Sequence, residues 1–376
     1  MKMNKKLLVM TDMDFKGSGY YYLMSPTLHR LAKLGYDIKV IGLGYTGEEH
    51  YYDFTIIPCA SPQDGIAIIQ NLVQLWYPDL FICALDIPMQ IAISSAIKKH
   101  GLKYMAITPM ENPPLTPSWT ASLMGLDYVF FISELGKLEA QKAGLTKVDH
   151  LVVGIDSESF YPALGGERQK LRDDLGYEED EFVILTVADN QERKNLWAAI
   201  RILSNLKQAG HKVRYVLVTR EQSQVGYKLR DLCMRYDVNK ETLIIERGIP
   251  QEELRKLYIS SDLFLLPSKA EGLGIPILEA MACGCPVMGT QTGAITELLS
   301  YNRGFLVPPE YEFVDVWGNS QRAMIDIRVA TDMVEDIMSH TPATPTHALM
   351  YIESRTLDYP VTQMDKVIQE LLDENK

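Results

Sequence analysis

Glu271 and Glu279 bracket a glycine-containing loop within SKAEGLGIPILEAMACGCP, residues 268–286. The apolar run Leu263–Leu266 before it reads as a buried strand. Gly272 and Gly274 permit tight backbone, and Pro276 suits the first turn of a helix through Ile277, Leu278, Ala280 and Met281. A strand, a loop and a helix N-terminus make an anion site, because free N–H groups and the helix dipole point at whatever sits there. Glu271 stands just before the loop and Glu279 about one turn into the helix, so both can reach one ligand at different depths. A carboxylate repels phosphate, so the two acids are better explained as acceptors for sugar hydroxyls.

Short apolar runs separated by helical patterns must position this segment. In the first half the strand candidates are Leu7–Met10, Ile38–Ile41, Thr55–Ile57, Leu80–Cys83, Tyr104–Ile107 and Tyr128–Ile132, with helices near 20–34, 63–76, 88–100 and 133–143. After a polar stretch with Pro162, Gly165 and Gly166, read as the linker, the alternation restarts. Strands are expected at Phe182–Val187, Val213–Val218, Thr242–Ile245, Leu263–Leu266, Val287–Met288 and Phe305–Val307, with a short charged helix around Arg168–Leu175 and helices near 193–209, 225–235, 251–259, 275–283, 293–299 and 329–338. A last amphipathic helix runs from Val361 to Leu372, with Val361, Met364, Val367, Ile368 and Leu371 on one face. Continuous apolar strands alternating with helices signal parallel sheets covered on both faces. The expected fold is therefore α/β, two Rossmann-like domains with the ligand in the cleft between them.

Composition narrows the function classes. The 376 residues carry 37 Lys and Arg against 49 Asp and Glu, for a net charge of −12. That balance disfavours nonspecific binding to nucleic acid or an anionic membrane. The apolar share of 47% is ordinary for a globular protein and excludes wholesale disorder. Five scattered cysteines make no disulfide framework and no zinc spacing, and are expected as reduced, mostly buried thiols. The basic start, Met1–Lys6, precedes too short an apolar run for a signal peptide, and no stretch reaches the ~18 apolar residues of a spanning helix. A cytoplasmic location is expected, with peripheral contact at the inner face of a membrane left open.

The run EGLGIPILEAMACGCPV resembles the signature of family 4 retaining glycosyltransferases of the GT-B fold. Its flanks resemble that family too: YISSDLFLL from Tyr258, GAITEL from Gly293, GFLVP from Gly304, DNQERKNL from Asp189, and GIDSESFYP from Gly154. The likeness is strong over residues 150–310 and weaker before. It implies a hexosyltransferase-type enzyme that moves a sugar from a nucleotide diphosphate-sugar (UDP-, GDP- or other) to an acceptor hydroxyl. Configuration would be retained, with no metal and no cofactor. It implies a first domain over 1–162 joined by the crossing helix 355–376, and a donor-binding domain over 163–354. By position, Lys194 would contact the diphosphate, Glu271 the sugar hydroxyls, and Glu279 the ribose. The backbone of Gly272, Leu273, Gly274 and Ile275 would meet the diphosphate and sugar. Asn190 and Arg193 lie in the same donor-side loop. Gly17 and Gly19 would approach donor and acceptor from the first domain.

The chain departs from the family pattern at two places. Ala188 and Asp189 stand where Gly-Arg is usual, which leaves Arg193 as the replacement cation. No histidine follows Tyr104–Ile107, and Glu111 is nearest the position where one is usual, as an orienting group for sugar or acceptor. Asp12–Met13–Asp14 imitates a metal-binding D-x-D pair but is read as a strand-end loop. Tyr20, Tyr21, Tyr22 and Trp119 are candidates for stacking on an acceptor sugar or, equally, for packing. Two alternatives keep the fold: a nucleotide-sugar-binding pseudoenzyme and a sugar-nucleotide epimerase. The acceptor itself is not readable; the acidic balance makes a nucleic-acid acceptor the less favoured kind.

Overall fold

The computed structural model describes residues 5–16, 18–316, 319–340 and 346–373. The chain divides into two compact units, Met1–Gly154 with Leu357–Lys376, and Ile155–Thr356.

The first unit opens with β1 (Lys6–Asp12), α1 (Gly19–Lys33), β2 (Asp37–Leu43), β3 (Thr55–Cys59), α2 (Pro62–Trp76) and β4 (Leu80–Ala84). It continues through α3 (Ile87–Lys98), β5 (Tyr104–Thr108), α4 (Pro117–Leu123), β6 (Tyr128–Phe131), α5 (Glu134–Lys142) and β7 (Val148–His150). The seven strands pair in parallel in the order β3-β2-β1-β4-β5-β6-β7. β4 and β5 are buried at every position, as continuous apolar runs demand when helices cover both faces. The order turns outward on both sides of β1 and β4, which makes the carboxyl ends of these strands the place for a ligand.

The second unit repeats the plan with α6 (Glu167–Asp174), β8 (Phe182–Val187), α7 (Leu196–Gln208), β9 (Val213–Thr219), α8 (Leu229–Arg235) and β10 (Thr242–Glu246). Then come α9 (Gln251–Ser260), β11 (Leu263–Leu266), α10 (Ile275–Ala282), β12 (Val287–Thr290), α11 (Gly293–Leu299) and β13 (Phe305–Val307). Its six strands lie in the order β10-β9-β8-β11-β12-β13. A two-stranded antiparallel hairpin follows, β14 (Pro309–Val314) and β15 (Gln321–Ile325), and then α12 (Ile327–Ser339) and α13 (Thr346–Glu353).

The last helix, α14 (Asp358–Asp373), returns to the first unit and packs on α1. Met364 and Ile368 are fully buried, and each such side chain contributes about 1.5–3 kcal/mol. Polar clamps fix its register: Tyr36 donates to Asp365 Oδ1 at 2.5 Å, and Gln363 bonds both the carbonyl of His150 and the amide of Val152.

Two departures from expectation have clear causes. The unit boundary falls at Gly154–Ile155, ahead of the polar stretch read as a linker. Residues 155–162 are anchored in the second unit: Ile155 pairs with Thr356, Phe160 is buried, and Arg255 donates to the carbonyls of Tyr161 and Pro162. β7, the β14–β15 hairpin and helices α4 and α13 are additional to the expected elements. The hairpin had a readable signal, since Tyr311 and Phe313 alternate with Glu310 and Glu312 at the strand period of two. Among the described residues no helix is long and apolar enough to cross a membrane.

Candidate active site in the second unit

β8 and β11 are adjacent parallel strands, so the loops leaving their carboxyl ends meet. From β8 comes Ala188–Gln191, then a single 3-10 turn, Glu192–Lys194, closed by Asn195 at a φ of 53°. Asn195 is buried, and its side-chain amide donates to the carbonyl of Pro267, fastening this turn to the loop after β11. From β11 come Ser268 to Glu271 and the glycine loop. Gly274, at a φ of +95°, is the N-cap of α10, with Pro276 in the first turn. A left-handed backbone here is natural for glycine and strained for most other residues.

Glu271 lies at the centre. Lys194 Nζ approaches its two oxygens at 2.6 and 2.9 Å, Arg193 reaches Oε2 at 3.0 Å, and Ser268 Oγ donates to Oε1 at 2.6 Å. Arg193 also donates to the carbonyl of Ala270 at 2.7 Å. Glu271 is 3% exposed, and burial alone would raise its pKa. The charges of Lys194 and Arg193, with hydrogen bonds from Lys194 and Ser268, overcome that and hold it at about 2.

Glu279 has the opposite setting. It faces the interior of α10's packing against α9, and the phenol of Tyr258 donates to its Oε2 at 2.8 Å. Burial pushes its pKa up to about 7, and the Tyr258 hydrogen bond opposes the shift only in part. The same burial, aided by the Glu279 charge, drives the Tyr258 phenol well above its ordinary value. Tyr258 and Ser268 were not singled out in the sequence. Ser268 sits three residues before Glu271 and had a local signal; Tyr258 meets Glu279 only through the helix packing.

Gly272, Leu273 and Gly274 are buried, and Ile275 is partly so, at the head of α10. Asn190 is fully buried, and its amide is spent inside the unit: it donates to the carbonyls of Glu221 and Tyr227 and accepts from the Tyr227 amide. It shapes the loop instead of offering its side chain to a ligand. Asp189 lies near Arg220 at 3.3 Å and accepts from Gln191. The cations of the turn after β8 are Arg193 and Lys194, both paired with Glu271.

Glu111, Gly19, Asp12 and Asp14 belong to the first unit. Gly19 is the first residue of α1, capped by Ser18, whose Oγ accepts from the Tyr21 amide; Gly17 lies outside the described residues. Tyr20 donates to Asp86 Oδ1 at 2.7 Å. Burial first, and then the charges of Asp86 and, less strongly, Glu111, hold its phenol well above the ordinary value. Tyr20, Asp86 and Glu111 therefore gather at the carboxyl ends of β4 and β5. Tyr21 bonds Tyr52 and packs edge-on to Tyr22, and Trp119 packs against the unit's core. Asp12 accepts from the Asp14 amide and Asp14 from the Lys16 amide, the local turn expected of a strand-end loop.

Residues 167–315 match the model of the family described as Glycosyl transferases group 1. That stretch contains Arg193, Lys194, Glu271, Glu279 and the whole β8–β13 sheet. The second unit thus resembles the glycosyl transferases group 1 family.

Similar proteins include the amylovoran biosynthesis glycosyltransferase AmsK of Erwinia amylovora, 32% identical over 180 residues, 46% of this chain and 41% of that one. The putative glycosyltransferase EpsD of Bacillus subtilis is 23% identical over 330 residues, 81% of this chain and 84% of that one. The chain spans less than half the length of the first curated relatives it matches. Among solved structures, sucrose-phosphate synthase from Thermosynechococcus elongatus superposes with a TM-score of 0.81 at 14% identity, covering 98% of this chain and 100% of that one. HepE of Anabaena, in complex with UDP and glucose, superposes at 0.74 with 18% identity, covering 97% and 100%. The fold is the GT-B fold, with two Rossmann-like units.

Proposed function

We propose that this protein is a glycosyltransferase that moves a hexosyl group from a nucleotide diphosphate-sugar to an acceptor hydroxyl. The observation that carries the reading is the Arg193–Lys194–Glu271 cluster at the head of α10. Two cations, a helix N-terminus and one carboxylate held at about 2 are assembled where β8 and β11 end. The cations and the helix dipole would stabilise charge on the leaving diphosphate, while Glu271 would hold sugar hydroxyls beside the carbon that becomes cationic. Glu279 would hold the ribose.

The same reading includes retention of configuration and reaction without metal or other cofactor, because Arg193, Lys194 and the helix N-terminus supply the charge a metal would otherwise bring. The HepE complexes with UDP and with UDP-glucose make uridine donors the first to try. Five free, buried cysteines favour a reducing compartment as the place of work. The acceptor is left as a hydroxyl-bearing molecule.

Incubation with a panel of UDP-, GDP- and ADP-sugars, with and without EDTA, tests the proposal. Release of nucleoside diphosphate from one donor, unchanged by EDTA, is expected. Release that stops with EDTA and returns with Mn²⁺ or Mg²⁺ contradicts the metal-free part. No release from any donor, with or without candidate acceptors, contradicts the whole.

A further inference from the structure

We propose that Lys269 is a positioning residue for the diphosphate-binding pair Arg193 and Lys194, and that the β14–β15 hairpin is the brace it pulls against. This inference rests on the donor-binding reading above.

Lys269 makes three attachments from one position. Its amide donates to the carbonyl of Arg193 at 2.9 Å, so its main chain holds the residue that carries one cation. Its carbonyl accepts from the Ala323 amide of β15 at 3.0 Å, tying the same peptide to the hairpin. Its ammonium bonds the carboxylate of Glu192, the residue before Arg193. The Lys269 side chain is only 7% exposed, whereas that of Glu192 is 65% exposed. An ammonium is costly to bury unless paired, so this pairing is part of the loop's architecture. The next residues in the chain are Ala270, whose carbonyl accepts from Arg193, and Glu271 itself.

The hairpin supplies the rest of the setting. Phe313 of β14 lies 5.9 Å from the Lys269 ammonium, ring face to cation. Buried Arg322 of β15 donates to Asp315 at 2.8 Å, fixing the hairpin's far end beside the same lysine. Met324 of β15 accepts from Asn195 at 3.4 Å, so the hairpin also touches the residue that closes the cation-bearing turn. The turn Glu192–Asn195 is thus gripped from the β11 loop and from the hairpin. A displacement of a fraction of an ångström would move both cations relative to a diphosphate, and positional precision of that order matters to such sites.

Burial pulls the Lys269 pKa down, Asp315 opposes that shift, and Arg322 reinforces it.

The test uses Glu192→Ala, Lys269→Met, the double variant and Lys269→Arg. Because Glu192 is largely exposed, its removal threatens folding least. Calorimetry is run with whichever of UDP, GDP and ADP the parent binds best, and with the matching monophosphate. Expected is a loss of about tenfold in diphosphate affinity for Glu192→Ala and for Lys269→Met. The double variant should be no worse than the singles, Lys269→Arg should recover most of the loss, and monophosphate affinity should be unchanged. A purely structural role would weaken both nucleotides together. Parent-like diphosphate affinity in Glu192→Ala, or equal losses for mono- and diphosphate, overturns the positioning role. A parent that binds none of the three nucleotides overturns the donor-binding reading, and this inference with it.

Discussion

Glu271 and Glu279 carry the same carboxyl group in opposite surroundings, and the difference has a measurable sign. Glu279 has its folded pKa raised from 4.5 to about 7 by burial. In that window the folded state holds more protons than the unfolded one, so this group's contribution to stability falls as pH rises. The full penalty above pH 7 is about 3 kcal/mol. Glu279→Gln removes it: the variant's stability relative to the parent should improve by up to about 3 kcal/mol from pH 4 to pH 8. Denaturant unfolding at the two pH values measures this, and a pH-independent difference would contradict the assignment. Glu271 has the reverse sign. Its folded pKa lies below its unfolded value, so its contribution is present above about 4.5 and is lost as pH falls toward 2. The family motif named both acids and Lys194. It did not reveal that Lys194 and Arg193 hold Glu271 directly, because those contacts join residues 77 and 78 apart through β8–β11 pairing.

At the scale of elements, the head of α10 depends on Gly274. A Cβ there would sit 3.2 Å from Ile277 Cδ1, on a backbone at +95°. Gly274→Ala should cost about 1–2 kcal/mol of stability and weaken nucleoside diphosphate binding more than it weakens nucleoside binding. Thermal unfolding with parallel calorimetry checks both, and an unaltered affinity would remove the helix N-terminus from the anion site. Most elements were readable in the sequence because buried parallel strands are continuous apolar runs: β11 and β13 fall where the pattern placed them. The hairpin escaped notice for a physical reason. It is partly exposed, it pairs only with itself as a ladder, and it breaks the strand–helix alternation on which the reading relied. The hairpin nevertheless contacts Lys269 and Asn195, beside the most legible site.

At the scale of the whole molecule, the chain builds two units, and the last helix belongs to the first of them although it follows the second in sequence. The amphipathic face of α14 was legible, and its destination came from the family likeness. Truncation before Leu357 removes the apolar cover of Met364, Ile368 and Leu371 and the Tyr36–Asp365 clamp. Hydrogen exchange should then show lost protection in β1 to β7 and retained protection in β8 to β13, with nucleoside diphosphate affinity kept within about twofold. Equal loss in both sheets would mean that the units do not hold their cores separately. The central claim is that Glu271 serves the sugar and its two cations serve the diphosphate. Glu271→Gln separates these roles, because it discards the charge that occupies Arg193 and Lys194. The decisive measurement is donor turnover alongside nucleoside diphosphate calorimetry on this variant. Turnover about 30- to 1000-fold slower than the parent, with nucleotide affinity equal or tighter, is the predicted result; parent-like turnover, or lost nucleotide binding at an unchanged saturated rate, would contradict it.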